Sequence, residues 1–256
     1  MIEPSAIYTL WLREIKRFLR SRSRIIGNLS MPFMWLVLFG SGLGGTMIPI
    51  SGSSVNYMEF IGPGVICMTL LFTSVFSGIS IIWDRQFGFL KEILVAPIGR
   101  TSIVLGKIAG SSTISVFNGV VMLIAAILLG AVPPASLTLV NIGAALAIMV
   151  LTSAAFVAIG MAIASQMGNT EGFQLIMNFL VMPIFFLSGA LFPLNSAPGW
   201  MSAISRLDPL TYGVDAMRGV LIGTSMFPVH ESFTILVAFC AAMVLVSAYL
   251  FREMKA

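Results

Sequence analysis

The sequence predicts an all-α membrane protein whose chain crosses the bilayer six times. Of its 256 residues, 58% are hydrophobic and only 9% are charged, whereas an ordinary soluble domain is about a quarter charged. The apolar residues form six long runs, and most cations lie in short stretches beside those runs. A soluble core cannot absorb so much apolar surface. Six spans of about 20 residues each also leave no room for a separate folded domain, so residues 1–256 are predicted to form one transmembrane domain.

Residues 1–24 are predicted to contain an amphipathic helix rather than a span. Apolar residues recur there at helical spacing, and cations occupy the remaining face; the apolar set is Ile7, Trp11, Ile15, Phe18 and Leu19, and the basic set is Arg13, Lys16, Arg17 and Arg20. A basic amphipathic helix lies in the plane of the membrane surface, with its cations against anionic headgroups. Two roles remain open, a passive anchor or a lever moved by a cytosolic partner. So many charges also argue against a cleavable signal peptide.

The six apolar runs are predicted to be the membrane spans. They cover residues 25–44, 57–83, 101–130, 136–164, 172–192 and 233–251. The second, third and fourth runs are longer than the hydrocarbon core requires, so we expect them to tilt or to project into the cytosol.

The distribution of Lys and Arg predicts the orientation. Six of the 14 basic residues lie within residues 13–24, before the first run, and four more lie within residues 85–107. Residues 45–56 and 131–135 have none. Because basic loops stay in the cytosol, both termini are predicted to be cytosolic, and the number of spans must be even. The membrane is predicted to be the cell (plasma) membrane.

Residues 193–223 form a segment that is too broken for a seventh span and too apolar for an ordinary loop. Asp208 is predicted to cap a short helix that has Pro209 at its first position and stops near Gly223. Residues 199–207 are predicted to form an earlier half-helix. The pattern indicates a re-entrant helical hairpin that enters and leaves the outer leaflet. Two further charged residues of this segment, Asp215 and Arg218, are three positions apart on one helix face, a spacing that allows them to pair locally.

The loop at residues 84–100 is predicted to contain a short amphipathic helix on the cytosolic side. Apolar residues repeat there at helical spacing among charged ones, namely Phe87, Leu90, Ile93 and Leu94, and Pro97 and Gly99 end the helix. Its apolar face either rests on the membrane surface or sits in a groove of another protein, as helical docking motifs do.

The sequence lacks the motifs of a catalytic, metal or nucleotide site. No Gly-Lys-Ser/Thr follows its glycine clusters, and His230 is the single histidine. Cys67 and Cys240 stand alone in apolar runs and are interpreted as packing residues. The glycine pairs at 40/44 and 106/110 favour close helix contacts. We therefore expect no catalytic residue, no metal, no cofactor bound by this chain and no nucleic acid, with energy supplied by a separate ATPase.

Four stretches together resemble the type-2 ATP-binding-cassette (ABC) exporter permeases of the multidrug and polysaccharide kind. The basic helix followed by MPFMWLVLFGSGLG resembles the connecting helix and first span of that family. FGFLKEILVAPIGR resembles its coupling helix. LSGALFPLNSAPGWM and LDPLTYGVDAMRG resemble its re-entrant segment. The order of these elements is similar over nearly the whole chain.

The resemblance implies a transport subunit without its own ATP site. Two copies would pair with two ATPase subunits that bind ATP and Mg, and lipid would surround the complex. Coupling to the ATPase would involve Phe87, Leu90, Glu92, Leu94, Pro97 and Arg100. A second contact would involve Trp11, Arg13, Arg17 and Arg20 of the connecting helix, and the re-entrant segment would hold Asp208, Pro209, Asp215 and Arg218. The implied cargo is hydrophobic or amphiphilic and leaves the cytosol.

Two alternatives remain open from the sequence. The chain is either this permease or a membrane scaffold or assembly factor that transports nothing and needs no nucleotide partner. Several aromatic residues of the spans either line a lipophilic path or face lipid and neighbouring helices: Phe72, Phe76, Phe117, Phe156, Phe179, Phe185 and Phe186.

Overall fold

A computed structural model describes residues 3–50, 53–89, 92, 95 and 98–253. In that part of the chain the helices are α1 (Pro4–Leu19), α2 (Arg22–Gly42), α3 (Tyr57–Phe76), α4 (Ile79–Gln86), α5 (Arg100–Leu128), α6 (Leu139–Ser165), α7 (Thr170–Leu187), α8 (Gly199–Ser205), α9 (Pro209–Ile222) and α10 (Val229–Glu253). Short 3₁₀ turns cover Pro134–Ser136 and Leu194–Ser196. The predicted all-α class is confirmed.

One short sheet was not expected from the sequence. Strands β1 (Met47–Ile50) and β2 (Ser53–Asn56) pair antiparallel between α2 and α3, with Met47 opposite Asn56. Asn56 then caps α3, because its side chain accepts a hydrogen bond from Met58 N at 3.0 Å. The β1–β2 hairpin thus leads directly into α3, the most buried of the described spans.

Six helical segments of the described chain are long and apolar enough to cross a membrane, which confirms the predicted number. They are Ser23–Gly42, Tyr57–Gln86, Arg100–Leu128, Leu139–Ser165, Thr170–Leu187 and Val229–Glu253. The second segment combines α3 and α4, which meet at a short irregular step around Ser77 and Gly78.

The second span is the centre of the bundle. Of its most apolar window, 83% is buried, against 11% for the sixth span, so α3 lies inside and α10 lies at the periphery. Helix α3 packs against α2, α5, α6 and α9. A Cβ on Gly160 of α6 would lie 2.2 Å from Val75 O, and one on Gly78 would lie 2.4 Å from Gly160 O. The two spans therefore cross with their backbones in contact, which only glycine allows.

The bundle has two distinct ends. The end that carries α1, the loop after α4 and the last turn of α10 is called the basic end. There Arg85 Nη1 donates to Met167 O at 3.3 Å and Arg100 Nη1 donates to Arg252 O at 2.5 Å. The opposite end, which carries residues 188–228, is called the hairpin end, after the re-entrant helical hairpin predicted there. Because six spans separate α1 from the end of α10, both lie at the basic end. The cytosolic position of the basic end remains a prediction.

Helix α1 runs beside the first half of α5 in the same direction. Trp11 Nε1 donates to Thr113 Oγ1 at 3.1 Å, and the rings of Phe18 and Phe117 meet edge to face at 6.0 Å. The face that the sequence assigns to the membrane surface is therefore partly covered by α5. The predicted position of α1 in the plane of that surface remains a prediction.

At the hairpin end, the predicted helix boundaries agree closely with the structure. Asp208 Oδ1 accepts a hydrogen bond from Leu210 N at 2.9 Å, and Pro209 opens α9. Helix α9 ends at Gly223, whose φ of 73° is left-handed. The half-helix predicted at 199–207 is α8, which ends at Ser205. The predicted depth of these two helices in the membrane remains a prediction.

Candidate functional site

Five charged side chains join three helices at the basic end. This ionic cluster consists of Arg13, Glu14 and Arg17 from α1, Asp84 from α4 and Lys107 from α5. Only 1% of the Lys107 side chain is exposed, and Asp84 and Glu14 are 3% and 5% exposed. Lys107 Nζ bonds to Asp84 Oδ2 and lies 3.6 Å from Glu14 Oε1. Since a buried charge is stable only beside an opposite one, these contacts fix the three helices against each other.

The two arginines of the ionic cluster hold the other side of Asp84. Arg13 Nη2 lies 2.9 Å and Arg17 Nη1 lies 3.9 Å from Asp84 Oδ1. Both guanidinium groups also lie over aromatic rings. Arg13 is 3.8 Å from the ring centre of Phe89, and Arg17 is 5.3 Å from that of Trp83. The start of the loop after α4 is therefore attached to α1 by ionic and cation–π contacts.

Two glycines allow α1 to lie this close to α5. A Cβ on Gly106 would lie 2.9 Å from Leu10 Cβ, and one on Gly110 would lie 2.8 Å from Glu14 Cβ. These are the positions at which the sequence predicts a close helix contact. Since Lys107 follows Gly106, the close approach also brings its ammonium group within reach of Glu14.

The predicted coupling residues are distributed around this cluster. Phe87 is 82% exposed and Glu92 is also exposed. Arg100 points instead to α10, where it donates to Arg252 O. Residues Leu90, Leu94 and Pro97 lie outside the described residues. Among the predicted connecting-helix residues, Trp11 bonds to α5, Arg13 and Arg17 enter the ionic cluster, and Arg20 is exposed.

Two cavities flank α1 at the basic end. One, of about 370 Å³, separates α1 from the loop and is lined by Ala6, Leu10, Phe89 and Ile98 among others. The other, of about 530 Å³, lies along the basic side of α1 and includes Lys16, Arg17 and Arg20. Because Thr9 and Arg13 line both, the two cavities are neighbours.

A third cavity, of about 400 Å³, lies between α2, α3, α4 and α7. We call it the aromatic pocket. Phe72, Phe76 and Trp83 line one wall, and Arg24 and Gln174 lie on the others. Two of the aromatic residues considered as path-lining from the sequence thus face a cavity. Phe185 is buried, in edge contact with Phe72 at 6.2 Å, and Phe156 is buried as well.

Two charged side chains at the hairpin end bond to backbone groups. Asp215 accepts hydrogen bonds from Met226 N at 2.7 Å and Phe227 N at 3.0 Å. Arg218 is buried, and its Nη2 donates to Gly189 O at 3.1 Å and Phe60 O at 3.4 Å. No ion pair joins the two side chains, so the local pairing that the spacing of Asp215 and Arg218 allows does not form. Each found a closer backbone partner on a neighbouring segment.

Burial shifts the ionisation of these groups. It raises the pKa of Asp215 above its usual value and lowers the pKa of Arg218 to about 10, so that Arg218 remains charged at neutral pH. The Arg218 guanidinium also lies 3.9 Å from the ring centre of Phe60. Burial raises the pKa of Asp208 to about 7, and its second carboxylate oxygen, Oδ2, has no hydrogen-bond partner among the residues that the structure describes.

A model of the ABC-2 type transporter family matches residues 5–222, which span α1 through α9. The chain belongs to the ABC-2 transporter family. The inner membrane transport permease YadH of Escherichia coli is 27% identical over 243 residues, which cover 94% of this chain and 92% of YadH. Nodulation protein J of Rhizobium meliloti is 29% identical over 222 residues, or 86% of this chain and 81% of that protein. The putative transport permease ycf38 of Porphyra purpurea is 28% identical over 206 residues, with 80% and 70% covered. This ABC-2 protein is therefore a membrane transport permease.

The sequence reasoning missed the centre of the ionic cluster in this ABC-2 permease. Lys107 was counted only among the basic residues that predict orientation, and no role was assigned to Glu14 or Asp84. One signal was present, because Glu14 lies between Leu10 and Phe18 on the buried stripe of α1. An acid on an apolar stripe indicates a buried cation on the helix opposite.

Proposed function

We propose that this permease is the membrane subunit of an ATP-driven exporter, with ATP and Mg bound by a separate ATPase subunit. Two permease copies would pair with two ATPase subunits, as members of the family work with such partners. The observation that carries the proposal is the ionic cluster, which makes α1, α4 and α5 one mechanical unit. The sequence predicts no ATP site in this chain, and such a unit would receive work from the partner subunit.

The loop after α4 offers the docking surface. Its side chains Phe87 and Val95 are 82% and 86% exposed, and apolar side chains on a short helical loop serve as anchors in a partner's groove. The basic residues along α1 would face the same partner. Docking there places the ATPase next to Phe89, which Arg13 holds at 3.8 Å.

Transmission then follows from the contacts. When the ATPase closes, it displaces the loop, and the buried charges carry that displacement to α1 and α5 together. Helix α5 is 29 residues long, about 43 Å at 1.5 Å per residue, so a movement of its first turn reaches the hairpin end. Helix α4 passes the same movement to the central α3.

The cargo is proposed to be hydrophobic or amphiphilic, and its movement to be outward. The aromatic pocket supports this, since cavities of a few hundred Å³ lined by aromatic side chains suit such molecules. Its location near the basic end would make it accessible from the cytosol, the side on which the distribution of Lys and Arg predicts that end to lie.

Site-specific photocrosslinking tests the docking surface. The photoreactive residue p-benzoylphenylalanine replaces Phe87 in one protein and Phe179 in the control, because the two phenylalanines have similar exposure, 82% and 84%. We expect the probe at position 87 to capture a nucleotide-hydrolysing subunit in cell membranes, and the probe at 179, inside a span, to capture none. Absence of an ATPase adduct at 87 would favour the scaffold instead.

A functional test uses Glu92→Ala, because Glu92 is exposed and helical. We expect it to lower permease-stimulated ATPase activity and transport while the protein still inserts into the membrane. The matched control is Glu231→Ala, an exposed glutamate at the hairpin end, which should leave both rates unchanged. Arg100→Ala is expected to lower both as well, although this arginine also contacts α10. Unchanged rates in Glu92→Ala and Arg100→Ala together would contradict the coupling role.

A further inference from the structure

We propose that the aromatic pocket binds an amphiphile with an anionic headgroup, and that Arg24 is the counter-ion of that headgroup. The inference rests on the proposed function, because it names the charge class of the molecule that this permease moves.

The pocket has a polar end and an apolar end. Its cationic and amide side chains lie within the first turns of two helices that start at the basic end, with Arg24 and Asn28 on α2 and Gln174 on α7; the hydroxyl residue Thr73 lies beside Phe72 on α3. Met31 lies further along α2, and Met68 lies further from the basic end on α3. At 1.5 Å per residue, Met31 is about 10 Å deeper than Arg24. A molecule with a polar head and an apolar tail fits this gradient in one direction only.

The apolar end suits a hydrocarbon chain. Phe72 and Phe76 are one helical turn apart and stack at 6.3 Å, and Met31 and Met68 add flexible apolar surface beside them. Methionine and aromatic side chains adapt to varied apolar shapes. The cavity of about 400 Å³ is at the small end of the range for ligand sites, ~300–1,000 Å³, so a headgroup and the first part of a chain fill it.

Arg24 is the charged residue among those that line the pocket, and Glu14 and Arg17 act on it only through longer-range electrostatic interactions. The Arg24 side chain is half-buried, yet among the described residues no hydrogen bond or ion pair engages its guanidinium group. Three other arginines do have such partners. Arg13 and Arg17 form ion pairs with Asp84, and Arg218 donates hydrogen bonds to two carbonyl oxygens. A partly buried guanidinium favours an anion with two or more oxygens, such as a phosphate or carboxylate headgroup.

Photolabelling in nanodiscs of phosphatidylcholine tests this assignment on the full-length chain. The probe is a hexadecyl phosphate with a diazirine near the end of its chain, and the comparison probe is the phosphocholine ester of the same alcohol. We expect the phosphate probe to label residues 68–76 about fivefold more than the choline probe, the factor expected for one cation near a membrane surface. Unlabelled hexadecyl phosphate should compete and inorganic phosphate should not, because the tail is required.

Two variants on opposite walls make the test specific. Arg24→Gln should remove the preference for the phosphate probe, and Arg24→Lys should keep most of it. Gln174→Glu adds a negative charge on an exposed residue of α7 and should weaken phosphate labelling several-fold. The matched control is Arg206→Gln, which makes the same change at an exposed site of the hairpin end and should have no effect. Equal labelling by both probes, or full labelling of Arg24→Gln, overturns the proposal.

Transport is measured separately, in vesicles that contain the permease and its ATPase. If labelling follows charge as expected and no transport occurs, the binding site stands and the proposed exporter function fails. If transport occurs and labelling is indifferent to headgroup charge, the exporter function stands and this inference fails.

Discussion

The two ends of the bundle bury charge in different ways. At the basic end, Lys107, Asp84 and Glu14 satisfy one another across three helices. At the hairpin end, Asp215 and Arg218 lie on one helix, and each bonds to backbone groups of neighbouring segments. Ionic attraction falls slowly with distance and has little directionality, whereas a hydrogen bond weakens steeply when its angle changes. The basic end therefore tolerates a shift between its helices, and the hairpin end holds its helices in place.

The largest effect is expected from removing the charge at the hub of the ionic cluster. Asp84→Asn leaves Lys107 buried beside Glu14 alone and removes the main partner of Arg13. Removing one member of a buried ion pair typically costs about 3–5 kcal/mol. We expect a loss of this size in the free energy of unfolding, measured by titration with dodecyl sulfate in mixed micelles, together with loss of transport.

The double variant Asp84→Asn/Lys107→Met separates charge balance from the individual contacts. If the cluster acts through compensated charge, the double variant should recover most of the stability that Asp84→Asn loses, because no buried lysine remains without its partner Asp84. Additive losses from Asp84→Asn and Lys107→Met would mean that the contacts are independent, and the contrast between the two ends would disappear.

A smaller effect is expected at the hairpin end from Arg218→Lys. A lysine keeps the charge, but it has no planar group to stack on Phe60 while reaching both Gly189 O and Phe60 O. Losing one charge-assisted hydrogen bond and the stacking should cost about 1.5–3 kcal/mol. The same unfolding titration measures it.

Asp215 and Arg218 are expected to contribute independently to the free energy of unfolding. Since no ion pair joins Asp215 and Arg218, the losses of Asp215→Asn and Arg218→Met should add in the double variant, because Arg218→Met removes the charge that Arg218→Lys keeps. A coupling free energy above about 1 kcal/mol would show that the two charges act as a pair after all, as residues in direct contact usually do.

The sequence predicted local features well and partner choice poorly. The cap at Asp208 and the close contact at Gly106 and Gly110 were predictable because one residue and its immediate geometry decide them. The bond between Asp84 and Lys107 was not, because helical periodicity tells which face of a helix is buried and not which helix covers it. The spacing of Asp215 and Arg218 favoured a local pair, but backbone N–H groups at Met226 and Phe227 competed for the carboxylate and won.

A pH dependence should distinguish the hairpin end further. Burial raises the pKa of Asp208 from 3.8 to about 7, so between these values the folded protein holds a proton that the unfolded chain releases. Stability should therefore fall as the pH rises from about 4 to about 7. Asp208→Asn keeps a good cap for α9 and should remove this part of the pH dependence in thermal unfolding. An unchanged pH profile in the variant would show that Asp208 is already ionised at low pH, with a partner for its second oxygen.

The smallest effect is expected from Gly110→Ala, which tests packing rather than charge at the basic end. The new Cβ would lie 2.8 Å from Glu14 Cβ, so α1 must move slightly away from α5. Alanine also favours the helix by about 0.8–1.0 kcal/mol over glycine, which offsets part of the clash, and the net loss should be about 1 kcal/mol or less. The control Gly143→Ala, where nothing lies within 4 Å, should be neutral or stabilising in the same titration. Because ionic attraction tolerates such a shift, Gly110→Ala should keep most of its transport activity. Loss of transport as complete as in Asp84→Asn would mean that close packing, and not the ionic cluster, joins α1 to the bundle.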